Sequence, residues 1–229
     1  MNLERTISLI GEEKLNIIRS KKILIVGIGG VGGYTLESLV RMGINNITIA
    51  DFDTISETNI NRQILSTNEN IDSYKVDEAL KRYKSINEDL NLITIKDKLT
   101  ESNLDSILET NYDFIIDACD DTKVKVALVK FASKNAIKII SSMGTAKRID
   151  ASKVIFTRLD KTNNDPLAKK MRSLLRKENI SLKIPVVTST ELPIKTDILG
   201  SVSYVPGVAG LLITSYVINE FLKWKKRNN

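Results

Sequence analysis

The sequence predicts an α/β protein: a Rossmann-like, doubly wound, mostly parallel sheet with additional C-terminal strands and helices. Three observations carry this expectation. Short apolar runs alternate with helical patterns through residue 144 at roughly 25-residue spacing, the rhythm of a wound parallel sheet. The first run, Lys22-Ile23-Leu24-Ile25-Val26, stops at the glycine cluster Gly27-Ile28-Gly29-Gly30-Val31-Gly32-Gly33, and a helical pattern begins at once. Polar and charged residues gather just after the first, second, fourth and fifth runs, on the edge where open α/β sheets bind ligands.

In chain order, residues 7 to 20 read as a short amphipathic lead-in helix. Ile23 to Val26 is the first strand, and Val31 to about Met42 a helix that Gly43 ends. Asn46 to Ala50 is the second strand, closing on Asp51-Phe52-Asp53, and a polar loop follows to about Ser73. Tyr74 to Ile86 is helical, with Val76, Leu80 and Tyr83 on one face. Leu92 to Ile95 is a strand, Asp105 marks a helical turn or two, and Phe114 to Ile116 is the fourth strand. Val124 to Ser133 is a helix, and Ile137 to Ile140 a strand followed by Ser141-Ser142-Met143-Gly144. After residue 145 the rhythm changes. Strands are expected at Val154 to Arg158, Ile184 to Thr188 and Ser201 to Val205. Asp165 caps a helix that has Pro166 at its first position and runs to Lys177. Val208 to Lys223 is a long, largely apolar helix. With no repeat, low-complexity segment or linker, one domain is expected over residues 1–229, a nucleotide-binding core at about 20–144 and an elaboration at about 145–229.

Composition excludes several chemistries. The 229 residues contain no His and one Cys, Cys119. That removes an intrachain disulfide, a C-x-x-C zinc site, histidine–metal sites and histidine-assisted nucleophiles. Cys119 falls in the turn after the fourth strand, where a small, partly buried residue is expected rather than a thioester nucleophile. The formal charge of +6 fits a polyanionic partner such as RNA, or a Lys-rich solvated surface. The N-terminal residues lack the apolar stretch of a secretory signal, and a cytoplasmic protein is expected. Ile198 to Asn219 is uncharged and long enough to span a bilayer. Pro206, three glycines and several hydroxyls instead suggest a strand, a turn and a buried helix, with no stable membrane association.

The glycine turn satisfies G-x-G-x-x-G in its strand–helix context, which marks a phosphate cradle. Gly27, Gly29, Gly30 and Gly32 let backbone N–H groups approach an anion. Asp51 stands at the end of the second strand, where a carboxylate accepts hydrogen bonds from ribose hydroxyls. These features alone fit NAD, FAD or ATP. The loop Asp51-Phe52-Asp53-Thr54-Ile55-Ser56-Glu57-Thr58-Asn59-Ile60-Asn61-Arg62-Gln63, followed by Lys75 at a helix start, favours ATP. An NAD domain needs no such cations beside its pyrophosphate, whereas attack at a triphosphate spreads charge that Arg and Lys stabilise. Asp120, beyond the fourth strand, suits a magnesium ion bridging phosphate oxygens.

Gly27-Ile28-Gly29-Gly30-Val31-Gly32, Asp51-Phe52-Asp53, Asn59-Ile60-Asn61-Arg62-Gln63, Lys75-Val76 and Asp117-Ala118-Cys119-Asp120 together resemble the ubiquitin-activating-enzyme-like adenylyltransferase superfamily. The resemblance implies ATP and Mg2+ as cofactors. It implies that Asp51 and Asp53 lie at the nucleotide, with Asp51 on the ribose, and that Asn59, Arg62 and Lys75 contact phosphates. Asp120 would serve the metal, and Arg5 would reach the triphosphate of the other subunit in a homodimer. Further stretches resemble one branch, the tRNA threonylcarbamoyladenosine dehydratases: Arg5-Thr6 with Leu9-Ile10-Gly11-Glu12-Glu13, Ser141-Ser142-Met143-Gly144, Asp165-Pro166-Leu167-Ala168-Lys169, Ser189-Thr190-Glu191-Leu192-Pro193 and Pro206-Gly207-Val208-Ala209-Gly210. That branch implies a tRNA carrying threonylcarbamoyladenosine as partner, activation of its carboxylate and cyclisation with loss of water. The other branch weighed is the adenylyltransferases of ubiquitin-like sulfur carriers, and the residues leave a sulfur-transfer protein partner open. Those enzymes usually carry paired C-x-x-C ligands, which this chain lacks, and commonly Asn where Asp121 stands.

Three basic groups are candidate tRNA phosphate contacts or plain solvated faces. They are Lys147, Arg148, Lys153 and Arg158; then Lys169, Lys170, Arg172, Arg176 and Lys177; then Lys223, Lys225, Lys226 and Arg227.

Overall fold

A computed structural model describes residues 1–223. The chain runs α1 (Glu4–Ile10), α2 (Glu12–Arg19), β1 (Lys22–Val26), α3 (Gly32–Arg41), β2 (Asn46–Ala50), α4 (Lys75–Ile86), β3 (Asn91–Ile95), α5 (Leu104–Ile107), β4 (Phe114–Asp117), α6 (Thr122–Lys134), β5 (Lys138–Ser142), β6 (Val154–Arg158), α7 (Pro166–Lys177), β7 (Pro185–Ser189) and α8 (Tyr204–Leu222). The seven strands form one sheet in the order β3-β2-β1-β4-β5-β7-β6. All pairings are parallel except β6 with β7. Because β1 lies between β2 and β4, the winding reverses there, and a crevice opens at the strands' carboxyl ends.

The central strands are buried on both faces. Ile23 and Ile25 of β1 join the cluster under α3 and α8, while Leu24 and Val26 join the cluster under α6. This alternation pins the register, since a one-residue slip would exchange the two sets. The C-terminus of α3 is closed by Gly43 at φ 89°. Its N–H donates to the Val40 carbonyl at 3.0 Å and that of Ile44 to the Leu39 carbonyl at 3.2 Å, a Schellman closure.

Two expected elements differ. The lead-in helix of residues 7 to 20 is two helices, α1 and α2, broken at Gly11. Gly11 sits at φ 84°, ψ 157°, a region essentially restricted to glycine, so the chain turns there. The strand expected at Ser201 to Val205 does not form, and α8 begins at Tyr204 rather than Val208. Pro206 fits the first turn of a helix, where its missing N–H has no intrahelical partner to lose. β6 already covers that edge of β7, antiparallel from Val154 to Arg158.

α8 is long and apolar enough to cross a membrane. In this fold it lies against α3, close enough that a Cβ on Gly210 would come within 2.5 Å of the Val31 carbonyl oxygen. Hydroxyls stitch the contact: Thr35 Oγ1 donates to Gly210 O at 3.2 Å and Thr214 Oγ1 to Thr35 O at 3.3 Å.

Candidate functional site

At the β1 end the glycines are required by space. Gly27 sits at φ 82°, and a Cβ there would meet the Cys119 backbone nitrogen at 2.8 Å. A Cβ on Gly32 would fall 1.8 Å from the Gly27 carbonyl oxygen. The turn is therefore folded tightly onto the β4 turn, and the first N–H groups of α3 are left for a ligand. Asp51 braces it from the next strand. One carboxylate oxygen accepts the Ile28 N–H at 2.8 Å, and the other accepts the Asp53 N–H at 2.9 Å. Burial pushes its carboxyl above the ordinary range, a shift opposed by the nearby Lys75 ammonium.

The loop after β2 is pinched by an isolated antiparallel bridge between Thr54 and Tyr74. That closure sets Lys75, at the start of α4, beside the two aspartates. Its buried Nζ lies 2.7 Å from Asp53 Oδ2 and 3.9 Å from Asp51 Oδ1. Within the loop a short 3-10 turn is closed by Asn59 Oδ1, which accepts the Ser56 N–H at 3.2 Å. Arg62 Nη1 donates to the Thr58 carbonyl at 2.6 Å and Asn61 Oδ1 at 3.0 Å, leaving the rest of its fork for other acceptors. Gln63 is buried, and its Oε1 has no hydrogen-bond partner among the described residues.

Beyond β4, Asp117 and Lys125 form a fully buried ion pair. Lys125 Nζ reaches both carboxylate oxygens at 3.0 Å and the Ser142 carbonyl at 2.7 Å. The ammonium thus spends its three donors tying the ends of β4 and β5 together. Asp121 caps α6, its Oδ1 accepting the Lys123 N–H at 2.7 Å. Asp120 is exposed, with no ion pair or hydrogen bond among the described residues. Cys119 is half-buried and its thiol donates to Asp117 Oδ1 at 3.2 Å. Burial and the Asp117 carboxylate hold that thiol well above its usual range, the opposite of an activated nucleophile.

These parts converge on one cleft of about 690 Å³. Gly27, Gly29, Gly30, Asp51, Asp53, Asn59, Arg62, Lys75 and Asp120 all line it. Gly32 stands behind the wall, in α3. Arg5 does not reach it: α1 is exposed at that position and follows Leu3, which packs under Gly43 at the far end of α3. The cleft continues past the β5 end along Ser142 to Ala146, to Leu167, Leu199 and Ser201.

This second wall rests on Asp165, the buried cap of α7. Its carboxylate accepts the Gly144 N–H at 3.0 Å, the Thr188 hydroxyl at 2.7 Å and the Ala168 N–H at 3.0 Å. Arg148 lies 3.9 Å from it and donates to the carbonyls of Ser189, Asn164 and Glu191. Arg148 is 2% exposed, so its expected place on a basic surface is corrected. Arg158 is paired with Asp160, and Arg172 turns inward to the Thr162 carbonyl and hydroxyl. Lys225, Lys226 and Arg227 lie outside the described residues.

Lys125 escaped sequence reading, and Arg148 was read as a surface cation rather than a buried one. Lys125 carries a usable signal: it sits in a helix whose neighbours Val124, Val126, Ala127, Leu128 and Val129 are all apolar, so its ammonium needs a buried partner.

A family model described as the ThiF family matches residues 2–229. The chain is 33% identical to a tRNA threonylcarbamoyladenosine dehydratase of Bacillus subtilis (strain 168), over 93% of this chain and 92% of that protein. It is 35% identical to the Escherichia coli (strain K12) protein of the same description, over 76% of this chain and 65% of that one. Solved structures of the E. coli tRNA N6-threonylcarbamoyladenosine dehydratase in complex with AMP and with ATP superpose with a TM-score of 0.92 at 30% identity, covering 96% of this chain and 93% of theirs. A molybdopterin-synthase adenylyltransferase of Haemophilus influenzae is 30% identical over 77% of this chain and 69% of that protein.

Proposed function

Since the chain belongs to the ThiF family, we propose that it is an ATP-dependent tRNA threonylcarbamoyladenosine dehydratase. It adenylylates the carboxylate of N6-threonylcarbamoyladenosine in tRNA and promotes cyclisation with loss of water. The supporting observation is the convergence of the glycine turn, Asp51, Arg62, Lys75 and Asp120 on one cleft that continues to a second wall after β5. The sulfur-carrier alternative is the weaker reading, with lower identity to its relative and no paired cysteines.

The chemistry runs in two steps. A carboxylate oxygen of the substrate attacks the α-phosphorus of ATP, the bond to the β-phosphate oxygen breaks, and pyrophosphate leaves. A nucleophile within the same substrate then attacks the activated carboxyl carbon, its proton passes to solvent, and AMP leaves. The oxygen counted as lost water departs on AMP. No enzyme nucleophile is needed, because positioning and charge stabilisation suffice.

In this reading the glycine turn holds the phosphates by backbone N–H groups, and Asp51 accepts hydrogen bonds from the ribose. Asn59, the open fork of Arg62 and the compact charge of Lys75, held by Asp53, face the phosphates. Asp120 suits a magnesium ion as an exposed carboxylate with no partner among the described residues. Magnesium bound through one carboxylate and substrate phosphates needs no acidic cage. Among the described residues no group of three or more His, Cys, Asp and Glu could hold a metal. When bound, the ion neutralises charge on phosphate oxygens. Arg5, remote from its own cleft, is assigned to the cleft of a second copy in a homodimer. The two steps require no sulfur-transfer protein, and a tRNA substrate fits a cytoplasmic setting.

The test is to incubate the protein with ATP, magnesium and threonylcarbamoylated tRNA and then weigh the digested nucleosides. The modified adenosine should become lighter by one water. An unchanged nucleoside, together with AMP formed only when a small carrier protein ending in Gly-Gly is added, would replace this reading by the sulfur-carrier one.

A further inference from the structure

We infer that the solvent face of α7 is the track along which the tRNA backbone leaves the cleft, a surface built from Lys169, Lys170, Arg176 and Lys177. The inference rests on the tRNA reading above and adds the place where that partner is held. Three observations carry it.

The first is geometry. At 100° per residue, positions 169, 170, 173, 176 and 177 form one stripe of a helix, with Ser173 at its centre. All five are exposed. The opposite stripe, Ala168, Met171 and Leu175, is buried. The stripe therefore cannot turn inward, and its cations span about 12 Å along the axis, the reach of a few nucleotides.

The second is the state of the charges. Lysines of the neighbouring α6 and of β5 are neutralised by acids. Lys130 lies 2.7 Å from Glu101 and 2.9 Å from Glu178, Lys134 lies 2.7 Å from Asp105, and Lys138 lies 2.9 Å from Glu220. The four cations of the α7 stripe have no ion pair or side-chain hydrogen bond among the described residues. Even Arg172, on the same helix, donates inward. Unpaired cations in a row present a field that a phosphate backbone answers, with counterion release as the driving force.

The third is position. The N-terminus of α7 is fixed to the cleft, because its cap, Asp165, holds the Gly144 N–H, and Leu167 lines the second wall. Lys169 and Lys170 thus begin within one turn of the cleft rim. A nucleotide inserted at that wall places its neighbours in the strand over the stripe.

The test compares two charge-matched triples in the full chain. In K169Q/K170Q/R176Q the stripe loses three cations; in K130Q/K134Q/K138Q three paired cations are removed. Affinity for threonylcarbamoylated tRNA is measured across a salt series, and ATP affinity is measured alongside. The stripe triple should bind tRNA about tenfold or more weakly near 0.1 M salt, with the log–log salt slope reduced by about 2, at roughly 0.7 per lost contact to a single strand. The paired triple should stay within about twofold, and ATP affinity should hold in both. Equal losses in the two triples, or an unchanged slope in the first, overturn the assignment. Wild-type protein that binds ATP but no tRNA overturns the tRNA reading and the surface together, whereas an unaffected stripe triple removes only the surface.

Discussion

The two walls of the cleft are each held by a buried ion pair, and the pairs are built differently. On the β4 side Lys125 meets both oxygens of Asp117 at 3.0 Å, with both side chains at 0% exposure. Neither charge has another opposite charge in reach, so each is what makes the other tolerable. On the α7 side Arg148 stands 3.9 Å from Asp165, and each is satisfied mainly by neutral groups. Asp165 accepts two backbone N–H groups and a hydroxyl, while Arg148 donates to three backbone carbonyls. The first pair locks strand ends, which fixes the floor beneath the nucleotide. The second pair fastens loops, which fixes where the rest of the substrate can lie. The nucleotide wall is thus built from the sheet itself, and the substrate wall from segments the sheet only supports.

The sharpest way to separate the walls is to remove groups that face the cleft without holding it. Arg62→Ala or Asp120→Ala should cut AMP formation by at least about 100-fold, the scale of losing one transition-state donor, with the melting temperature unchanged. Turnover at the wild-type rate would remove the assigned roles. Lys125→Met strands the buried Asp117 carboxylate and should cost about 3–5 kcal/mol. Denaturant titration measures that loss, and a change under about 1 kcal/mol would show that the floor does not depend on the pair. Arg148→Met should cost less, about 1–3 kcal/mol for the carbonyls left unmet. Its mark should be kinetic: KM for tRNA rises while ATP affinity stays within about twofold. A fall in ATP affinity matching the rise in KM would mean that the two walls act as one. Asp121→Asn should do least, since Asp and Asn cap helices about equally well. A magnesium dependence displaced by this substitution would return position 121 to the metal site.

The same contrast decides how much of the molecule was legible in the sequence. The nucleotide wall is a matter of local pattern. Strand β2 and the order from glycine turn to Asp51, Lys75 and Asp120 follow from short-range rules. The substrate wall follows from contacts across the chain. Nothing near Arg148 shows that it will be enclosed by Asn164, Ser189 and Glu191, so it read as a surface cation. Val202, Tyr204 and Val205 are residue types that strands favour, yet β6 occupies the sheet edge and Pro206 can open a helix, so α8 starts early. Gly11 looked compatible with a continuous helix until its backbone took a conformation only glycine holds readily. Lys125 went unread for a different reason: its signal was local, a charge among apolar helix neighbours that calls for a buried partner.

The account turns on a cleft that joins ATP to a carboxylate found only on modified tRNA. The most direct measurement is release of AMP from ATP and magnesium, with tRNA isolated from cells that do or do not install the threonylcarbamoyl group. The expected result is AMP in proportion to the modified tRNA and none above background with the unmodified tRNA. Equal AMP from both, or none from either, would contradict it.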